Sequence, residues 1–224
     1  ENGTVLIFDE VITGFRYHSG GFQTAMGIRA DLGTYGKVVG GGLPIGMIAG
    51  KRQFMDALDG GHWNFGDTSI PEVGVTYFAG TFVRHPLALA AAVATLKRLK
   101  EAGPALQEEV NRKADRYVAE LNTIFQRMDA PFEYANFGSL MKLKITDESR
   151  GYPELLACWL RNKGVHIWDG FPTFITCAHT DEQLKWVIQQ FIDAISEMQQ
   201  GGYTETAQML QALKARHGWT FEVQ

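Results

Sequence analysis

The chain has 224 residues, 45% of them hydrophobic and 21% charged, with a net charge of −4 and a pI near 5.9. This composition describes an ordinary globular protein, long enough for one large core or two small ones. Its mild acidity gives no electrostatic basis for binding nucleic acid or an anionic membrane. No run of about eighteen apolar residues is present, which excludes a hydrophobic membrane-spanning helix. Two cysteines, Cys158 and Cys177, form neither a disulfide framework nor a metal-ligand spacing, as suits a reducing cytoplasm.

In chain order, Val5-Leu6-Ile7-Phe8 is an apolar run without alternation, as expected of a parallel strand covered on both faces, and it ends at Asp9-Glu10. Val38-Val39 is followed by Gly40-Gly41-Gly42, where the backbone can reach conformations and approaches closed to other residues. Residues 51–58 read as a short helix. Residues 59–80 form a loop long enough to suggest function rather than mere connection. Pro86 opens an alanine-rich helix that stops at Gly103. From 104 onward, Leu106, Val110, Ala114, Tyr117, Leu121, Ile124 and Met128 recur at three and four, predicting a long amphipathic helix.

Met141–Ile145 alternates like a half-buried strand, and a helix is expected over 153–163, ending at Gly164. Residues 165–168 and 174–177 read as short strands. Thr180-Asp181-Glu182-Gln183 is a capping box that opens a helix with Leu184, Val187, Ile188, Phe191, Ile195 and Met198 inward. The expected organisation is α/β: residues 1–103 belong to a parallel-sheet domain, 104–200 form a smaller α+β domain, and 201–224 are a linker-like tail.

Three residues stand where chemistry is commonly placed. Asp9 lies at the end of the first strand, the edge at which open α/β sheets bind ligands. It suits either Mg²⁺, as in a nucleotidase, or a cationic cofactor nitrogen, although an isolated acidic pair after an apolar run is more often a solvated turn. Lys37, between Gly36 and Val38-Val39, becomes a nucleophile toward a carbonyl if its stem is partly enclosed. A lone lysine before a glycine run is otherwise a solvated residue or a phosphate contact. Thr81, five residues before Pro86, offers a hydroxyl for phosphate oxygens, or simply serves a turn.

Together the segments LIFDEVITGFR (6–16), DLGTYGKVVGGGLPIGMIAG (31–50) and GTFVRHPLALAAA (80–92) resemble the class III aminotransferases, in the branch of glutamate-1-semialdehyde aminomutase. FGSLM (137–141) and AHTDEQL (178–184) follow in the order of that branch, so the resemblance covers about residues 3–200. It implies a fold type I transferase dependent on pyridoxal 5'-phosphate, made of the C-terminal part of the large domain and the small domain. It further implies that Asp9 holds the protonated pyridine nitrogen, Val11 packs on the ring, Lys37 binds the cofactor covalently and shuttles protons, and Thr81 binds its phosphate across a homodimer interface with shared sites.

The family's phosphate loop and ring-stacking aromatic belong to an N-terminal half that this sequence lacks, so the resemblance implies a fragment incomplete on its own. The segment between Lys37 and Thr81 is longer than in the aminomutase. That segment and GVHIWDGFPTFITCAHTDEQL resemble aminotransferase domains of hybrid polyketide–nonribosomal peptide synthetases in antibiotic biosynthesis. The expected acceptor is then a β-ketoacyl thioester on a carrier protein, with an amino acid as donor. Intramolecular transfer by an aminomutase is the alternative, and a Mg-dependent nucleotidase fragment is a distant one, lacking the upstream phosphate loop it needs.

Overall fold

A computed structural model describes residues 2–61, 63–64, 66–147, 153–168 and 170–201. The chain divides into two compact units, residues 1–109 and 110–224.

The first unit is built on a three-stranded sheet of β1 (Ile7–Glu10), β2 (Leu32–Tyr35) and β3 (Met47–Gly50). β1 and β2 run parallel with Asp9 opposite Thr34, while β3 returns antiparallel on the far side of β2. Asp31 ties all three strands at one end. Its carboxylate accepts from the Leu6 N–H at 2.8 Å and from Lys51 Nζ at 2.6 Å, and the Lys51 N–H donates to its carbonyl. The Leu6 N–H first, then Lys51, hold this carboxyl below the usual carboxylate range.

Between β1 and β2 lies α1 (Gly21–Ala25); a 3₁₀ turn (Lys37–Gly40) follows β2, and α2 (Arg52–Asp59) follows β3. α3 (Pro86–Ala102) begins with proline at its first turn and ends at Gly103, whose φ of 66° favours glycine. Ala88 and Ala92 are its buried residues, and small side chains there let α3 lie close to the 3₁₀ turn. A Cβ added at Gly41 (φ 58°) would collide with Thr95 Oγ1 of α3, so the glycine run is fixed by both conformation and space.

The expected covering of the first strand on both faces is not found. Val5, Leu6 and Ile7 are 40%, 43% and 57% exposed, because no second layer of the described residues covers that edge of the sheet. β2 and β3 were absent from the sequence expectations. Their four-residue runs, LGTY and MIAG, are too short and too glycine-rich for a period to show.

α4 (Ala105–Arg127) crosses from one unit into the other. In the second unit it packs with α6 (Asp181–Gln200) and α5 (Pro153–Asn162) around the sheet β4 (Phe132–Phe137), β5 (Leu140–Ile145), β6 (Thr173–Phe174). The inward stripes follow the expected spacing: Ala114, Tyr117 and Leu121 on α4, and Leu184, Ile188, Phe191, Ile195 and Met198 on α6, are buried. Phe125 is fully buried, with Phe132, Tyr134 and Phe191 ring centroids 5.8–6.3 Å away; each such ring contributes about 1.5–3 kcal/mol by leaving water.

Residues 165–168 are irregular rather than a strand, and β6 is two residues long where a strand over 174–177 is expected. Of the tail expected over 201–224, all but Gly201 lies outside the described residues, as does Phe65 of the long loop. The capping box is present as read: Thr180 Oγ1 accepts from the Gln183 N–H at 3.2 Å and Gln183 Oε1 from the Thr180 N–H at 3.0 Å. Thr180→Ala should therefore lower the unfolding free energy by about 1 kcal/mol in a denaturant titration.

Candidate active site

Successive residues of a strand point to opposite sides, and Asp9 and Glu10 use that alternation. Asp9 is exposed, and its Oδ1 accepts from the Val11 N–H at 3.0 Å and lies 3.4 Å from the Thr34 hydroxyl on the paired strand. Both contacts aim the carboxylate and leave Oδ2 without a partner among the described residues. Glu10 points the other way and is 1% exposed. Its carboxylate accepts from the Thr13 hydroxyl at 2.6 Å, the Phe22 N–H at 3.0 Å and the Gln23 N–H at 2.8 Å.

A solvated acidic turn is thus the wrong description of Glu10, which clamps the strand end to α1. Glu10→Gln replaces an all-acceptor group with one that must present an NH₂ toward donors. It should cost about 1.5–3 kcal/mol, measured by thermal or chemical unfolding.

The turn after Glu10 is held from several sides. The Gly14 N–H donates to the Glu10 carbonyl at 2.8 Å, and the Phe15 ring lies 5.5 Å from that of Tyr35. Gln107 Nε2, 92 residues along the chain from Phe15, donates to its carbonyl at 3.2 Å. Gln23 Nε2 donates to the Tyr35 hydroxyl at 2.9 Å. Burial first, and then the Glu10 charge, push the Tyr35 phenol above its usual range, against the Gln23 hydrogen bond.

Val11 is half-buried, and its Cγ1 lies 3.4 Å from where a Cβ on Gly36 would sit; the Ile45 carbonyl lies 3.3 Å from the same point. Gly36 therefore allows an approach that a Cβ would crowd. It brings the residue after it, Lys37, to the end of the strand pair that carries Asp9. Lys37 has φ 36°, a left-handed conformation uncommon for a residue with a side chain. Its side chain is exposed, so the enclosed stem expected from GKVV is not found. The 3₁₀ turn sends Val39, fully buried, into the core and leaves Lys37 facing out.

Thr81 is exposed in the turn over residues 81–84, where the Val83 N–H donates to the Gly80 carbonyl at 3.1 Å. Arg84 sits 5.7 Å above the Phe78 ring. The β1–β2 pairing thus brings Asp9, Val11 and Thr34 together and places Lys37 two residues beyond the end of β2, while no hydrogen bond among the described residues joins Thr81 to them.

Thr34, Glu10 and Gln107 are the residues that sequence reasoning missed. For Thr34 the available signal was a hydroxyl three residues before the candidate lysine. Gln107, on a polar-looking helical turn, gave none.

The donor set suits a cofactor with a cationic ring nitrogen and a carbonyl. An oriented carboxylate and an amine, both with polar atoms unpaired among the described residues, and an apolar side chain stand at one end of the β1–β2 pair. None of the described residues forms a cluster of three or more His, Cys, Asp or Glu able to hold a metal, which leaves the Mg²⁺ reading of Asp9 without further ligands there.

Comparison with known proteins agrees with this chemistry. The pattern of the family "Aminotransferase class-III" matches residues 1–195. The glutamate-1-semialdehyde 2,1-aminomutase of Alkaliphilus oremlandii is 33% identical over 211 residues, covering 88% of this chain and 46% of that protein. The aminomutase of Archaeoglobus fulgidus is 33% identical over 209 residues, with the same coverage of 88% and 46%.

Among solved structures, an omega-transaminase from Sphaerobacter thermophilus superposes with a TM-score of 0.74 at 22% identity, over 87% of this chain and 44% of that one. A β-phenylalanine aminotransferase from Variovorax paradoxus gives 0.73 at 24% identity, over 88% and 45%.

The fold is that of the type I pyridoxal-phosphate transferases. The chain belongs to the class III aminotransferases, whose cofactor is pyridoxal 5'-phosphate. It spans 46% of the length of each of those two aminomutases.

Proposed function

We propose that this chain supplies the cofactor lysine and the ring-nitrogen carboxylate of a pyridoxal-phosphate-dependent amino-transfer enzyme. The observation that carries the reading is the strand-end group: Asp9 is oriented by Thr34 and the Val11 N–H, and Gly36, the residue before Lys37, lies against Val11. When bound, the cofactor supplies an electron sink for the carbanion at the substrate's amino-bearing carbon. Asp9 keeps a proton on the pyridine nitrogen, Val11 offers an apolar surface to the ring, and the Lys37 amine holds the cofactor and then moves a proton at Nζ. Thr81 contributes a hydroxyl to phosphate; following the family resemblance, the reading includes a homodimer in which it serves the partner subunit's site.

The substrate reading favoured by the relatives is intramolecular transfer of the amino group of glutamate-1-semialdehyde, the reaction in the names of the proteins at 32–33% identity. A second reading, a β-ketoacyl thioester on a carrier protein, draws on the apolar surface of the loop before α3. There Ile70, Tyr77 and Phe82 are 76%, 92% and 81% exposed, a surface suited to an acyl chain.

A competition assay on the cofactor-loaded protein separates the two readings. The semialdehyde should be turned over faster than a carrier-bound β-ketoacyl group. Faster turnover of the carrier-bound substrate selects the second reading, and faster turnover of free keto acids excludes both.

A further inference from the structure

The sheet of the second unit is incomplete on one side. β6 pairs with only the first two residues of β5, Leu140 with Phe174 and Met141 with Thr173, so Leu143 and Ile145 have no strand neighbour on that flank among the described residues. A cavity of about 400 Å³ remains between β5, α5 and the residues Ile167, Trp168, Gly170, Phe171 and Thr173. That volume falls in the range of small-molecule sites.

Its inner wall is apolar, formed by Leu143, Ile145, Ala157 and Ile167 with the Tyr134 ring. Its exposed rim carries Trp168 and Phe171, 64% and 52% accessible, stacked with centroids 3.9 Å apart and planes 12° from parallel. Glu154, exposed at the start of α5, is the one charged residue among the described residues lining the cavity.

The Thr173 hydroxyl oxygen is buried and makes no hydrogen bond of acceptable geometry among the described residues. It lies close enough to Tyr134 to favour that phenol's ionised form slightly, while burial dominates and pushes the phenol up to about 12. Tyr134 therefore stays neutral and adds no charge to the cavity.

These features select a ligand. An apolar wall takes an alkyl or aryl body. A carboxylate that is the one charged group of the described lining, beside two open aromatic faces, favours a cation at the rim and repels an acid. A buried hydroxyl that makes no well-formed hydrogen bond among the described residues rewards a polar atom at the inner end of the ligand. We propose that this cavity binds an arylalkyl or alkyl primary amine, with its ammonium at the rim against Glu154 and the Trp168–Phe171 pair and its apolar body inside. The proposal concerns the second unit by itself and does not rest on the amino-transfer reading.

Calorimetric titration of the full chain without added cofactor tests it, with tyramine, 2-phenylethylamine and phenylacetate as probes. Both amines should bind, tyramine the tighter through Thr173, and phenylacetate should bind at least roughly tenfold more weakly. Glu154→Gln should bring 2-phenylethylamine and phenylacetate to within about threefold of each other, and Thr173→Val should erase the advantage of tyramine. Ala157→Leu should abolish binding by filling the cavity. Should that variant fail to fold by circular dichroism, Trp168→Ala at the exposed rim should weaken both amines without disturbing the core. Phenylacetate binding as well as the amines, amine affinity unchanged in both Glu154→Gln and Trp168→Ala, or absence of amine binding would overturn the proposal.

Discussion

Lys37→Ala in the cofactor-loaded protein should abolish covalent retention of pyridoxal phosphate and lower turnover by roughly a thousandfold or more, since it removes both the attachment point and the proton carrier. Lys37 faces outward at φ 36°, beside buried Gly36 and ahead of buried Val39. Truncation to Ala therefore leaves the core untouched, and the fold should survive by circular dichroism. Borohydride reduction of the cofactor-loaded protein followed by peptide mass spectrometry should place the pyridoxyl group on Lys37. A pyridoxyl group on any other lysine overturns the assignment.

The second large effect is expected at Asp9. Asp9→Asn keeps the shape, and its Oδ1 still accepts from the Val11 N–H, so the cofactor should remain bound. A neutral amide does not hold a proton on the ring nitrogen. The proton-transfer step should slow by about a hundredfold or more, the scale seen when a single preorganised electrostatic partner is removed. A primary kinetic isotope effect with substrate deuterated at the amino-bearing carbon should rise as that step becomes rate-limiting. Unchanged turnover in both half-reactions would exclude the electron-sink role.

Much of the architecture was legible because its signals are local. Pro86 and Gly103 bracket α3, and the Thr180–Gln183 box opens α6. The three-and-four spacing of Leu121 or Phe191 with its neighbours fixed which faces are inside. The short strands were less legible. β4 alternates only through Phe132-Glu133-Tyr134 before Ala135 and Asn136 blur the pattern, and β2 and β3 owe their existence to pairing rather than to any period of their own.

The candidate site divides in the same way. Asp9 and Lys37 were singled out as candidates by their neighbours and by the family resemblance, whereas Thr34 joins Asp9 only through strand register and Gln107 reaches Phe15 across 92 positions. Burial of the lysine stem was read from adjacent valines, but a 3₁₀ turn does not keep successive side chains on one side.

The opposed pair Asp9 and Glu10 also bears on how the chain tolerates insertion and deletion. A slip of β1 by one residue against β2 would carry the clamp carboxylate into the open and drive Asp9 toward the Phe22 and Gln23 amides, with a side chain one methylene too short to meet them. Neither alternative alignment satisfies both carboxylates, so the strand has a single workable phase. Residues 2–8 should accept exchanges of one apolar side chain for another but reject a change in their number. The exposed loop at 66–80, which has no partner strand to keep step with, should accept both.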